Sequence, residues 1–194
     1  MCAHRIIKNL IWWVGKMKKV LLILFMLLLC VGYFYAVRTN NPRKKYADRE
    51  RQKIELGIAE TKNKLAQEYP KTAEGVIEYH NTIMSYQYSQ YMKEEYVKPA
   101  IEAVRMLYSQ ELLDLNSIEA QESALLSEVQ SNKEQKVFIL QNKTVSTRYN
   151  ADDTSAIVRV IHYTNIKDMA REYELIKEDG NWKINGWSSV EEEQ

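Results

Sequence analysis

The apolar and polar positions divide this chain into three stretches of different period. From Val20 to Val37 runs VLLILFMLLLCVGYFYAV, eighteen residues without a charge. As a helix this run would rise about 27 Å, close to the hydrocarbon thickness of a bilayer. It has no amphipathic face, and Tyr33 and Tyr35 cluster near one end as interfacial aromatics do. The pattern is that of a transmembrane helix rather than a buried core helix. Asn40, Asn41 and Pro42 break it, because proline removes a helix hydrogen bond and biases its predecessor towards extended backbone. Tyr46 to Glu68 is helix-permissive but charged nearly all round, with a thin stripe of Ile54, Leu56, Ile58 and Leu65. That pattern predicts a stalk running into a first helix.

Tyr69-Pro70-Lys71-Thr72 ends this segment and opens another, with Thr72 as the expected N-cap. From Ala73 to Tyr88, residues Val76, Ile77, Tyr79, Ile83, Met84, Tyr86 and Tyr88 cover one broad arc of a helical wheel, with Glu78, Ser85 and Ser89 opposite. A third helix is expected from Lys93 or Lys98 to Leu113, with Pro99 tolerable only near its start or at a kink. Asn116 followed by Glu119 resembles a capping box opening a fourth helix to Asn132, which buries Ile118, Leu125, Leu126 and Val129.

The period then falls to two. Lys136–Thr147, Ser155–Asn165, Ala170–Lys177 and Trp182–Ser188 are β-branched or aromatic runs separated by turn residues, the last turn carrying Asp179-Gly180. In the second run Ile157, Arg159, Ile161 and Tyr163 share one face and Val158, Val160 and His162 the other. The expected organisation is a basic segment over 1–19, a signal-anchor over 20–37, a basic stalk and helix over 38–68, and an α+β domain over 69–190 whose helices pack on a four-stranded antiparallel sheet.

Charge sharpens this picture. The net charge of +1 conceals five basic residues and no acid over 1–37, and a local +5 over 38–53 from Arg38, Arg43, Lys44, Lys45, Arg49, Arg51 and Lys53 against two acids. From Ile54 onward the net is −9. A nucleic-acid binder needs its positive charge on the folded domain, so this distribution excludes that class and fits a collar against anionic headgroups of a lipid bilayer. Lys16, Lys18 and Lys19 abut the apolar run as the charged start of a secretory signal does, and Met17 reads as an alternative initiator. With Met1 as the start, Ile6, Ile7, Leu10, Ile11, Trp12, Trp13 and Val14 would form a short interfacial helix. In the candidate site Phe34-Tyr35-Ala36, Phe34 stands where a signal peptidase wants a small residue, which favours retention as an anchor; Leu27-Leu28-Leu29-Cys30 departs from a lipobox at Leu29. The expected topology is single-pass in the cell membrane, amino terminus cytoplasmic and domain extracytoplasmic.

Candidate chemistry is sparse. Both cysteines, Cys2 and Cys30, lie outside the expected domain, and His4, His80 and His162 are too scattered for a metal motif. No glycine-rich phosphate loop or nucleophile elbow occurs, and nothing calls for a cofactor. On the third segment's apolar arc, His80 and Gln87 are polar groups that must find partners or line a cavity, so Tyr79, His80, Ile83, Tyr86 and Gln87 form the candidate pocket. Tyr79, Tyr86, Tyr88, Tyr91 and Tyr96 are the alternative, a tyrosine-rich docking surface.

The terminal stretch Glu178-Asp179-Gly180-Asn181-Trp182-Lys183-Ile184-Asn185-Gly186-Trp187 resembles the closing hairpin of the cystatin-like, nuclear transport factor two-like superfamily, SnoaL-like domains included. Joined to the anchor and to Thr72-Ala73-Glu74-Gly75-Val76-Ile77-Glu78-Tyr79, it is also similar to anchored proteins of Gram-positive bacteria and to the VirB8-type component of conjugation machinery. The resemblance implies a cone-like α+β domain over 69–188 serving as enzyme, ligand pocket or docking module. It transfers no catalytic residue, because the isomerase-type enzymes need a carboxylate inside the cone and the apolar faces above contain none. The leading expectation is a non-enzymatic binding or assembly module that recruits a protein or cell-envelope partner. The alternative is a small-molecule-binding or isomerase-type domain with a pocket around His80.

Overall fold

The computed structural model describes the backbone of residues 3–39 and 41–190, and side chains at 19, 21–38 and 41–190. The chain divides into two compact units, Met1–Asp48 and Arg49–Gln194. In the first, α1 (Ala3–Thr39) is an unbroken helix. It contains an 18-residue window of mean hydropathy 2.2, none of it buried, and is long and apolar enough to cross a membrane. The side chains of Ile6, Ile7, Leu10, Ile11, Trp12, Trp13, Val14 and Met17 lie outside the described residues, as does Asn40 of the expected break. α2 (Pro42–Gln67) starts on Pro42, where a missing N–H costs nothing, and Asn41 Oδ1 accepts from the Arg43 amide at 3.0 Å.

α2 buries Ile54, Ile58, Thr61 and Leu65, a stripe at helical spacing. Leu56, expected on that stripe, is 59% exposed, since two residues carry it about 200° round the helix. Ile54, Ile58 and Leu65 join the main hydrophobic core. The later part of α2 therefore packs within the compact unit Arg49–Gln194. A stripe this thin suffices because Gly57 admits a close neighbour: a Cβ there would overlap the Tyr86 hydroxyl.

α3 (Ala73–Gln87) is capped by Thr72, whose hydroxyl accepts from the Gly75 amide at 3.1 Å. A 3₁₀ turn over Glu94–Tyr96 leads into α4 (Val97–Arg105), and α5 (Gln110–Leu115) and α6 (Ile118–Gln135) follow. The sheet is β1 (Ile139–Tyr149), β2 (Ser155–Thr164), β3 (Met169–Glu178) and β4 (Asn181–Val190), an antiparallel meander in the order β1-β2-β3-β4. The fold is α+β, helices with a four-stranded antiparallel open sheet.

Two helix expectations are corrected. The third helix does not continue to Leu113: the Ile184 amide donates to Leu107 O at 2.8 Å and the Ser109 amide to Ile184 O at 2.9 Å, so this segment leaves the helix to pair with β4. Ser109 then caps α5, accepting from the Leu112 amide at 3.1 Å. The next cap is Ser117, accepting from the Ala120 amide at 3.2 Å; the Asn116 side-chain Nδ2 instead donates to Leu112 O at 3.1 Å.

On β2, Ala156, Val158, Val160, His162 and Thr164 are buried and the intervening residues less so, as the period of two requires. Register places Arg171 opposite Val160 and Tyr173 opposite Val158, on that same inner face. Between β3 and β4 the register slips, with Glu174 opposite Gly186 and Leu175 opposite Ile184. This bulge keeps Trp187 on the inner face with Ile184 although they are three positions apart, an odd spacing. The β3–β4 turn uses Asp179 (φ 50°) and Gly180 (φ 79°), the paired positive φ of a type I′ hairpin.

Candidate functional site

A pocket of about 290 Å³ lies among α3, α4, α6 and the inner face of the sheet. α3 contributes His80, Met84 and Gln87, followed by Tyr88; α4 contributes Ile101 and Val104, with Tyr108 just beyond it. α6 supplies Gln121, Leu125 and Glu128, β3 supplies Arg171 and β4 supplies Trp187. The Arg105 guanidinium fixes the α4–α6 wall, donating to Asn116 O at 2.8 Å and Gln121 Oε1 at 3.0 Å. The Leu107–Ser109 detour onto β4 carries Tyr108 into the lining, and the Ser109 hydroxyl donates to Asn185 Oδ1 at 2.6 Å.

His80 is 6% exposed, and its Nδ1 has no hydrogen-bond partner. Its ring meets Tyr173 edge-on at 5.0 Å between centroids, with Tyr108 and Trp187 both at 6.4 Å. Burial drives the His80 pKa down to about 3, and the nearby His162 and Arg171 push the same way. The ring is thus neutral near pH 7, and so poor a base takes protons feebly there.

Arg171 is the pocket's cation. Burial opposes its charge, but the tyrosines at 173 and 88, with Glu128, outweigh that cost and raise its pKa. None of the ion pairs among the described residues involves it; Nη1 lies 3.8 Å from Met84 Sδ. Glu128 stands at the exposed edge, already accepting the Tyr88 hydroxyl at 2.6 Å. Burial, then Glu128, raises the Tyr88 pKa, and burial raises that of Tyr108.

On the far side of Tyr173 the polar groups are tied together. The Asn142 amide donates to Asn81 O at 3.1 Å and Ser85 Oγ at 2.8 Å, leaving Asn142 Oδ1 to face His162 Nδ1 at 2.7 Å. This orientation assigns the proton to Nδ1, and Nε2 accepts from Tyr173 OH at 3.2 Å. Burial lowers the His162 pKa to about 4, with Arg171 adding to the effect.

Of the expected pocket residues, His80 and Gln87 line this cavity. Ile83 is fully buried in the core, Tyr86 packs at Gly57 of α2, and Tyr79 borders a different surface hollow with Tyr69 and Pro70. The tyrosine cluster is not a free surface: Tyr88 and Tyr96 are buried and Tyr79, Tyr86 and Tyr91 pack against the core. Within the collar, Arg38, Arg43, Lys44, Lys45, Arg49 and Lys53 are exposed and Arg51 is half-buried. Sequence reasoning missed Arg171, Glu128, Tyr108 and Trp187. The first had a signal, since Arg171 alternates with Tyr173 and Leu175 on a face that must point inward. Glu128 stands at the pocket's exposed edge, outside the apolar faces read from the sequence. Among the described residues no cluster of His, Cys, Asp and Glu suits a metal ion.

Fold and site together define an α+β domain with an aromatic-walled pocket, carried on a chain with one long apolar helix. The chain belongs to the family described as Domain of unknown function (DUF6715), whose profile matches residues 8–187. No curated protein matches it. Two solved structures are similar in part. One is a SEC-C motif containing protein from Rhodopseudomonas palustris, 9% identical with a TM-score of 0.44, over 68% of this chain and 91% of that one. The other is the intermembrane space region of the chloroplast protein ARC6, 14% identical with a TM-score of 0.36, over 61% of this chain and 93% of that one. At these scores neither bears on function.

Proposed function

We propose that this protein is a membrane-tethered, non-enzymatic binding domain that holds a small molecule in the pocket beside His80. One observation carries the reading: a nearly fully buried imidazole with an unpartnered nitrogen lines a cavity of about 290 Å³. Native interiors rarely leave a buried polar atom without a partner, because its desolvation then goes uncompensated. That volume stands just under the roughly 300–1,000 Å³ of drug-sized ligand sites and suits a small molecule. The low pKa of His80 favours binding over catalysis, because so poor a base does not activate the hydroxyls of Tyr108 and Tyr173 beside it near pH 7. The test is ligand-observed NMR with the full chain in lipid nanodiscs, comparing wild type with Val104→Trp, which fills the pocket. Ligands that bind wild type and not the filled variant support the reading; an equal response in both contradicts it.

In the same reading α1 is a retained anchor, the collar from Arg38 to Lys53 lies at anionic headgroups, and the domain faces outward as a cystatin-like or nuclear transport factor two-like module. Protease protection on intact cells with a tag at Gln194 tests the topology. Loss of the tag without lysis supports an extracytoplasmic domain, and protection overturns it. A second reading, recruitment of a cell-envelope or other protein partner, is favoured by the open sheet face, where Ile157 stands 39% exposed beside half-buried Ile161 and Tyr163. An Ile157→Lys variant that lost a cross-linked partner while keeping pocket ligands would support it.

A further inference from the structure

We infer that the pocket takes a small organic carboxylate, with its charged end on Arg171 and a planar apolar body against Tyr108 and Trp187. The inference deepens the ligand-binding reading above and rests on it. Arg171 reaches the pocket from the inner face of the sheet, between a row of buried aliphatic residues and α3. A guanidinium there loses hydration that an anion with matching acceptors restores best, and a carboxylate meets its fork with two parallel bonds. Within the protein its partners are neutral, the Tyr173 and Tyr88 hydroxyls and Met84 Sδ. Glu128, the acid in the lining, sits at the exposed edge and already accepts the Tyr88 hydroxyl, and no ion pair reaches Arg171 among the described residues.

The other features narrow the class. Glu128 would repel a second negative charge, which favours a monoanion over a phosphate dianion. Arg171 would repel an amine. Tyr108 and Trp187 pack on each other, 5.9 Å apart between centroids and 36° from parallel, and form one aromatic wall against which a flat apolar group can lie. The modest volume excludes a lipid-sized tail.

The experiment uses the full chain in nanodiscs and probes matched in body but not in head group: phenylacetate, 2-phenylethanol and 2-phenylethylamine, with the corresponding indolyl and cyclohexyl sets. Titration calorimetry should give each carboxylate an affinity at least about tenfold above its alcohol, the amine binding weakest, as a charge-assisted pair implies. Arg171→Gln should abolish that preference, and Arg171→Lys, which keeps the charge but not the fork, should retain part of it. If alcohols bind as tightly as carboxylates and Val104→Trp blocks both, the pocket stands and the carboxylate assignment falls. A preference that survives Arg171→Gln also overturns the assignment. If no member of any set binds, both this inference and the reading beneath it fail.

Discussion

His80 and His162 flank the same Tyr173 ring, at 5.0 and 6.3 Å between centroids, and are buried to similar extents. Around His162 both ring nitrogens have partners, and the chain runs on through Asn142 to α3. Around His80 the ring meets aromatic faces, a cavity and an unfilled Nδ1. The two rings differ in their partners and not in their burial: His162 is bonded at both nitrogens, while His80 Nδ1 has no partner and borders a cavity.

Each prediction presses on that contrast. His162→Leu should have the largest effect, destabilising the domain by about 2–4 kcal/mol in urea unfolding, because Asn142 Oδ1 and the Tyr173 hydroxyl lose their shared partner. A cost under about 1 kcal/mol would mean that the His162 network is not structural.

Acid comes next. Both histidines have folded-state pKa values, about 3 and about 4, below the unfolded value near 6.5. Their contribution is complete above pH 6.5. As pH falls below that value the unfolded chain takes up protons that the folded one refuses, so stability declines down to the folded pKa values. The slope approaches about 1.4 kcal/mol per pH unit for each histidine. Urea midpoints between pH 7 and pH 5 should show the decline, and His162→Leu should reduce its slope by about half.

Ser109→Ala removes the α5 cap and the bond to Asn185, costing about 1–2 kcal/mol. It should also weaken phenylacetate binding, because Tyr108 hangs from the same segment; undiminished affinity would show that Tyr108 is held by other contacts. The smallest effect is expected of Glu128→Gln. Its half-exposed pairing with Tyr88 is worth less than about 1 kcal/mol, while removing the rim charge should tighten phenylacetate binding a few-fold at low salt. Weaker binding in that variant would argue that the rim helps to hold the ligand.

Much of the fold was legible because long elements carry strong periods. The wheel of residues 73–88, the alternation of β2 and the Asp179-Gly180 turn each follow from local rules that tertiary contacts reinforce. The α4–α5 break was not legible, since it depends on Leu107 and Ser109 bonding to Ile184, far away in sequence. The packing of α2 was not legible for a related reason: a thin apolar stripe does not say what it packs against, and Gly57 shows how closely Tyr86 of α3 approaches. Of the site, His80 and Gln87 were visible as polar residues on an apolar arc. Tyr79 and Tyr86 shared that arc but turn towards other neighbours, and a wheel cannot say which part of a broad face meets the cavity. Trp187 escaped because the bulge at Asn185 shifts the alternation by one residue.

The most direct test of the central claim is His80→Leu in the full chain, with urea unfolding and phenylacetate binding measured on the same sample. An imidazole kept for a ligand leaves stability unchanged or raised by up to about 1 kcal/mol when replaced by an apolar group of similar size, and binding falls at least about tenfold. A loss of several kcal/mol with binding intact would make His80 a structural residue and contradict the account.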